Sequence, residues 1–232
     1  MLVQDWMKTN VVTVTPDTTL HVARRLFQEN NIHSLPVIND NKRVVGLFTT
    51  TELKRYAPTN TTGVEILEAL ELLDITKVKE AMVPNPPTIH PHNTIEQAAQ
   101  HMIDKHVVCL PVTDTAGILV GILSGSNVFK ALLDLSGADQ PGIEAGFILQ
   151  NKPGELLSII EKLRSLGMRM IAVLSSLHGE GSDTRKVKLR FRGANEELQD
   201  KAVEMLRSHP GLKYWMRGDE FFLCEDYGKD KK

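Results

Sequence analysis

Cysteine, net charge and long apolar runs are all scarce in this chain of 232 residues, and each scarcity excludes something. Two cysteines, Cys109 and Cys224, are too few for the disulfide framework of a small secreted domain. Both lie in apolar, strand-like runs and read as buried thiols in a reducing cytoplasm. A formal charge of −2 supplies no general field for nucleic acid or for an anionic membrane surface. No apolar run approaches the ~18 residues of a membrane span, and the first residues lack a basic, apolar, small-residue leader pattern. The expected setting is therefore cytoplasmic. Catalytic signatures are also missing: there is no nucleophile elbow, no Walker-type glycine loop and no credible pair of carboxylates, so no catalytic residue is nominated and no enzyme is expected.

What is present is a gapless repeat. Residues 7–55 align with residues 82–130 at a constant offset of 75, with eleven identities: Met7/Met82, Asn10/Asn85, Thr13/Thr88, Pro16/Pro91, Thr19/Thr94, Ala23/Ala98, Leu35/Leu110, Pro36/Pro111, Val37/Val112, Val45/Val120 and Gly46/Gly121. Average amino-acid usage would give roughly three by chance. A unit this small does not readily bury its own apolar face, so two copies are expected to complete one core with pseudo-two-fold symmetry.

Each copy reads β-α-β-β-α. Short extended segments (Val11–Thr15; Thr88–His90) stop at a proline, and helices follow with apolar stripes at Leu20, Ala23 and Phe27 or Ile95, Ala98 and Met102. Asn93 and Glu96 fit a capping box for the second of these helices. Strands are expected at Leu35–Ile38 and Val44–Phe48, and at Leu110–Thr113 and Ile118–Leu123, each pair leading into a second helix. Pro58–Gly63 reads as a break, Val64–Leu73 as a connecting helix and Ser136–Gly142 as a linker. The remaining segment reads β-α-β-β-α-β, a ferredoxin-like order. It has an alternating strand from Ile143, a turn at Asn151–Gly154, a helix striped at Leu156, Ile159, Ile160, Leu163 and Leu166, a hairpin loop over His178–Asp183, a helix capped by Asn195 and a last strand at Leu212–Met216. The expected class is thus α/β (α+β): 1–57 repeat one, 58–77 connector, 78–135 repeat two, 136–142 linker and 143–228 the last domain.

Two motifs recur in order: Ile32-His-Ser-Leu-Pro-Val37 with Gly46-Leu-Phe-Thr-Thr-Thr-Glu52, and Val107-Val-Cys-Leu-Pro-Val112 with Gly121-Ile-Leu-Ser-Gly-Ser-Asn127. They resemble a tandem pair of CBS domains, a Bateman module, over about residues 1–135. The tail resembles an ACT domain through Asn151-Lys-Pro-Gly-Glu-Leu156, and the whole resembles bacterial acetoin-utilisation AcuB-like proteins. This resemblance implies a ligand-sensing regulatory protein with no required cofactor, whose ligand is an adenine nucleotide (AMP, ADP or ATP), NAD or S-adenosylmethionine. It implies that Glu52 and Asn127 stand where nucleotide-binding members carry a ribose-binding aspartate. Thr49, Thr51, Ser124 and Ser126 would be the hydroxyls beside them, Thr15 and His90 the first-strand positions, and His33 and Ser34 the phosphate-contacting position. It further implies a homodimer, an amino acid at the loop of Asn151, Pro153 and Gly154, and a protein partner whose identity is unknown. The alternative is a dimerisation scaffold with empty sites.

Blander readings stand beside these. Thr49-x-x-Glu52 is also a helix capping box, Asn151–Gly154 also a strand-to-helix turn, and Gly46 and Gly121 serve either tight packing or ligand approach. Arg185, Lys186, Lys188, Arg190 and Arg192 form a basic stripe, read as a solvated sheet face or, less favourably, as a site for nucleic acid or an anionic ligand. The histidines (His90, His92, His101, His106) lack a zinc-ligand spacing, so no metal is expected.

Overall fold

The computed structural model describes residues 1–56, 71–177 and 183–225 and divides the chain into two units, Met1–Ala131 and Leu132–Lys232. The break at Pro58–Gly63, most of the connecting helix and most of the His178–Asp183 loop fall outside the described residues.

In the first unit, α1 (Leu20–Asn30) starts at Thr19, whose hydroxyl accepts from the Val22 N–H. It ends at Asn31 in the left-handed region (φ 48°) and buries Leu20, Ala23 and Phe27. Strands β1 (Ser34–Ile38) and β2 (Val44–Thr49) pair antiparallel, and α2 (Thr50–Lys54) follows without a gap. After the helical turn α3 (Val78–Ala81) and the two-residue strand β3 (Val83–Pro84), the second copy repeats the plan. It has α4 (Ile95–Asp104), β4 (Cys109–Thr113), β5 (Leu119–Ser124) and α5 (Gly125–Ser136). The cap of α4 is Thr94, not Asn93: Thr94 and Gln97 exchange hydrogen bonds, while Asn93 Oδ1 accepts from the His90 N–H. The Asn93/Glu96 reading was one residue early because both pairs satisfy the same three-residue spacing.

The leading extended segments are single bridges rather than strands, Val14 to Val37 and Ile89 to Val112, both parallel. More consequentially, each copy is completed by the segment that precedes the other. The Val78 N–H donates to the Thr18 carbonyl (2.8 Å), the Lys79 N–H to Pro16 (3.0 Å), and β3 pairs with β2. At the offset of 75, the Val3 N–H donates to Asn93 (2.9 Å), the Gln4 N–H to Pro91 (3.0 Å), and Lys8 bridges Ile122. Val78 and Leu73 accordingly lie in the core of the first copy, and Val3 in that of the second.

Here the reading of Gly46 and Gly121 resolves. A β-carbon on Gly46 would sit 2.2 Å from the Met82 sulfur, and one on Gly121 2.5 Å from that of Met7. Two of the eleven identities, Met7/Met82 and Gly46/Gly121, thus form two equivalent methionine-on-glycine contacts that seat the exchanged segments. The copies also meet at their turns, where the Leu119 N–H donates to the Lys42 carbonyl (3.1 Å).

The second unit is built on β6 (Ile143–Gln150), α6 (Glu155–Ser165), β7 (Arg169–Leu177), β8 (Thr184–Arg192), α7 (Glu196–Arg207), β9 (Leu212–Arg217) and β10 (Glu220–Leu223). The antiparallel sheet runs β10-β9-β6-β8-β7. Its core joins Ile143, Ala145, Phe147 and Leu149 of β6 to Ile159, Leu163, Ala202, Val203 and Leu206 of the helices. Burying each large apolar side chain contributes about 1.5–3 kcal/mol. Gly167 (φ 77°) closes α6 with its N–H on Arg164 and that of Met168 on Leu163.

Three expectations for this region are corrected. Leu212–Met216 is not the last strand: Gly218 (φ 56°) and Asp219 form a two-residue hairpin into β10, and Gly-Asp is a signal of this kind. Cys224 lies beyond that strand and is only half-buried. Arg185 does not belong to the basic stripe: with Val187, Leu189 and Phe191 buried, an odd-numbered position takes the opposite face. Two residues of the stripe itself are paired, since Lys188 and Arg190 both meet Glu144 (3.0 and 3.1 Å). Arg190 also donates to the carbonyls of Ala138 and Gln140, which ties the 136–142 stretch to the sheet.

Candidate functional site

The residues nominated in the two motifs gather at one end of β1 and β4. Ser34 pairs with Thr49 across β1 and β2, and the Thr50 N–H donates to the His33 carbonyl (3.1 Å). In the second copy Cys109 pairs with Ser124, and the Gly125 N–H donates to Val108 (2.9 Å). Each motif turn therefore opens a helix directly beside the residues that precede the Leu-Pro-Val strand.

Within both turns the capping interaction is formed. Glu52 Oε2 accepts from the Thr49 N–H (3.2 Å) and from its hydroxyl. Asn127 Oδ1 accepts from the Ser124 N–H (3.0 Å) and hydroxyl (2.6 Å). Glu52 is buried, and among the described residues its Oε1 makes no hydrogen bond, which leaves that oxygen able to accept from a ligand. Asn127 keeps its amide N–H₂ free in the same sense. The hydroxyl-bearing Thr51 and Ser126 are exposed, as is His33.

The equivalent residues Ser34 and Cys109 touch. Burial pushes the Cys109 thiol up to about 11, against the opposing effect of its hydrogen bond with Ser34. A thiol held protonated in this way is a packing group rather than a nucleophile, and it brings the two motif ends together at the pseudo-dyad.

Thr15 and His90 are not brought to these turns. The parallel bridge of Val14 to Val37 lies three residues, about 10 Å, from Ser34 along β1. It places Thr15 at the far end of the strand and Val12 toward the near one. Thr15 hydrogen-bonds Thr18 instead (3.1 Å). His90 occupies the matching position at the far end of β4, where it lines a cavity of 460 Å³ together with Thr88, Gln97, His101, Thr113 and Asp114. Sequence reasoning singled out only His90 there for nucleotide binding. The signal for the rest was available in the alignment, where Val22, Leu26 and Ile38 of the first copy become Gln97, His101 and Thr113.

In the other unit Asn151, Lys152, Pro153 and Gly154 are exposed, and the Asn151 N–H donates to the Asp183 carbonyl (2.6 Å). Gly154 caps α6 at φ 90° with open space around it, so backbone conformation rather than room selects glycine. Among the described residues there is no group of three His, Cys, Asp or Glu that could hold a metal ion, and no helix long and apolar enough to cross a membrane.

Known proteins resemble this chain over part of its length. The CBS domain family matches residues 3–59 and 78–134. A CBS domain-containing protein of Dictyostelium discoideum is 32% identical over 133 residues, covering 57% of this chain and 92% of that protein. The crystal structure of CBSX2, a CBS-pair protein from Arabidopsis thaliana, is 31% identical, with 57% of this chain and 94% of that one covered and a TM-score of 0.51. A second structure holds CBSX2 in complex with AMP (31% identity; 57% and 96% covered; TM-score 0.47). This chain belongs to the CBS domain-containing proteins.

Proposed function

We propose that the chain is a non-catalytic regulatory protein whose CBS pair binds an adenosine-containing ligand at the two motif turns. The observation that supports this most is the free acceptor of Glu52, a buried carboxylate oriented by Thr49 at the start of a helix and beside His33 and Ser34. A carboxylate oxygen in that position suits a ribose hydroxyl, and the flanking hydroxyls and His33 suit phosphate oxygens. The ligand class, AMP, ADP, ATP, NAD or S-adenosylmethionine, is carried over from the family resemblance. The second unit is read as ACT-like, with its Asn151–Gly154 loop as the place for an amino acid; the β-α-β-β-α-β order that precedes the edge strand β10 supports this. The same proposal includes a cytoplasmic homodimer, for which the exposed Phe129, Leu132 and Leu133 of α5 supply apolar surface, and a link to acetoin utilisation, which rests on resemblance alone. Ligand binding would act on the second unit through its differential affinity for two states of the protein.

Thermal unfolding of the full chain with each nucleotide tests the central claim. At ~100 times its dissociation constant a ligand should stabilise the protein by about 2.7 kcal/mol. Absence of any shift at millimolar concentration favours the scaffold reading. Light scattering tests the homodimer: a monomer mass at micromolar concentration rejects it.

A further inference from the structure

The cavity at the far end of β4 lies away from both motif turns, and its chemistry is different. Thr113 is only 8% exposed, yet among the described residues its hydroxyl has no hydrogen-bond partner, and it lines the cavity. That hydroxyl is open to the cavity, and so to a ligand in it. The surrounding groups are oriented by the fold. His90 Nδ1 accepts from the His92 N–H (3.3 Å), which puts the ring proton on Nε2 as a donor. Gln97 Oε1 is taken by the Thr94 N–H and by Asn93, leaving its N–H₂ as a donor. Asp114 Oδ1 accepts from the N–H groups of Ala116 and Ile118 (both 2.9 Å), leaving Oδ2 as an acceptor.

We propose that this cavity is a second binding site, confined to the second repeat, for a neutral polyhydroxylated small molecule such as a sugar or sugar-like polyol. The chemistry selects that class by charge and by hydrogen-bond type. One carboxylate, two histidines and no lysine or arginine line the cavity among the described residues, so an anion would meet Asp114 with no permanent positive charge to offset it. A cation would meet a single carboxylate among N–H donors. A hydroxyl both donates and accepts, and it can satisfy Asp114 Oδ2, Gln97 Nε2 and the Thr113 hydroxyl together. The first repeat lacks the site because Val22, Leu26 and Ile38 stand where Gln97, His101 and Thr113 do.

That difference supplies the test, because Thr113→Ile and His101→Leu install residues that the first repeat already folds with. Calorimetry on the full chain would use glycerol, D-ribose and D-glucose as probes, with inorganic phosphate and ethanolamine as the anionic and cationic controls. Saturable binding of at least one polyol is expected. It should weaken ~10-fold in either variant, the loss of one hydrogen bond to the ligand, and stay unchanged in Glu52→Ala and Asn127→Ala. AMP titration of Thr113→Ile should match that of the parent, so the two sites fail separately. The proposal is overturned if no polyol binds at tens of millimolar, if only phosphate or ethanolamine binds, if both variants retain full affinity, or if the polyol signal disappears with Glu52→Ala or Asn127→Ala.

Discussion

In the first repeat the Leu20 N–H reaches the Thr76 carbonyl (3.0 Å); in the second the Ile95 N–H reaches Met1 (3.1 Å). Asn39 folds its turn by accepting from Asn41 and Arg43, and Asp114 does the same from Ala116 and Ile118. The skeletons share these backbone bonds at the offset of 75, while the polar groups set on them differ. Glu52 faces Asn127 in the alignment, His33 faces Val108, and an apolar trio faces Gln97, His101 and Thr113. The difference separates two kinds of constraint. Positions that seat an exchanged segment must satisfy the same packing twice and stay alike. Positions that meet a ligand answer to that ligand alone, so each copy is free to recognise something different.

The largest effects should fall on the shared part and should be equal. Leu35 and Leu110 are equivalent and both fully buried, so Leu35→Ala and Leu110→Ala should each cost about 2–5 kcal/mol. The two values should lie within ~1 kcal/mol of each other. Denaturant unfolding followed by Trp6, in a Trp215→Phe background, reads the first unit alone; a gap of several kcal/mol would break the symmetry argument.

Next come the glycines, where the copies should differ in a stated direction. The three atoms nearest a β-carbon on Gly46 all belong to the flexible Met82 side chain, whereas one on Gly121 also comes within 3.1 Å of the Lys8 carbonyl. Overpacking of this kind typically costs about 1–3 kcal/mol, and Gly121→Ala should be the more damaging because backbone gives way less readily than a thioether. Combining Gly46→Ala with Met82→Ala should cost less than the sum of the single changes. Strict additivity would mean that the contact does not seat the segment.

At the motif turns the two capping partners should weigh alike in stability and unalike in binding. Removing either, as Glu52→Ala or Asn127→Ala, should cost about 0.5–2 kcal/mol. For nucleotide, a charged acceptor makes hydrogen bonds worth about 1.5–3 kcal/mol against 0.5–1.5 for a neutral one. The tighter calorimetric phase should therefore vanish in Glu52→Ala and survive in Asn127→Ala; the reverse outcome inverts the ranking of the sites.

How much of this was legible in the sequence follows the same division. The strands, the helical stripes and the motif turns were readable because period and offset expose them directly. The segment exchange was not, because Met7 and Val78 look the same whichever copy they pack on; the structure reveals it, in the backbone bonds of Val78 and Val3 and in the contact of Met82 with Gly46. Thr49-x-x-Glu52 was ambiguous for a physical reason: one carboxylate can cap a helix with Oε2 and still offer Oε1 to a ligand. The family resemblance groups Thr15 and His90 with the turns, and sequence order does not say which end of β1 or β4 a parallel bridge reaches.

The smallest expected effect concerns the first turns of α1 and α4. Thr94 and Gln97 cap α4 reciprocally, with the Gln97 N–H on Thr94 Oγ1 (3.2 Å) and the Thr94 N–H on Gln97 Oε1 (2.9 Å). In α1 Thr19 makes only the first of these, from the Val22 N–H (3.3 Å), because valine has nothing to return. Val22 is half-buried, so a longer polar side chain can replace it without opening the core. Val22→Gln should complete the second half of the box and replace a β-branched residue with a better helix former. A gain of roughly 0.3–1 kcal/mol is expected. Gln97→Val should lose a similar amount from α4, which makes the pair of substitutions an exchange between the copies. If Val22→Gln destabilises instead, the apolar contact of Val22 outweighs the cap, and the first turn of α1 belongs with the packing positions.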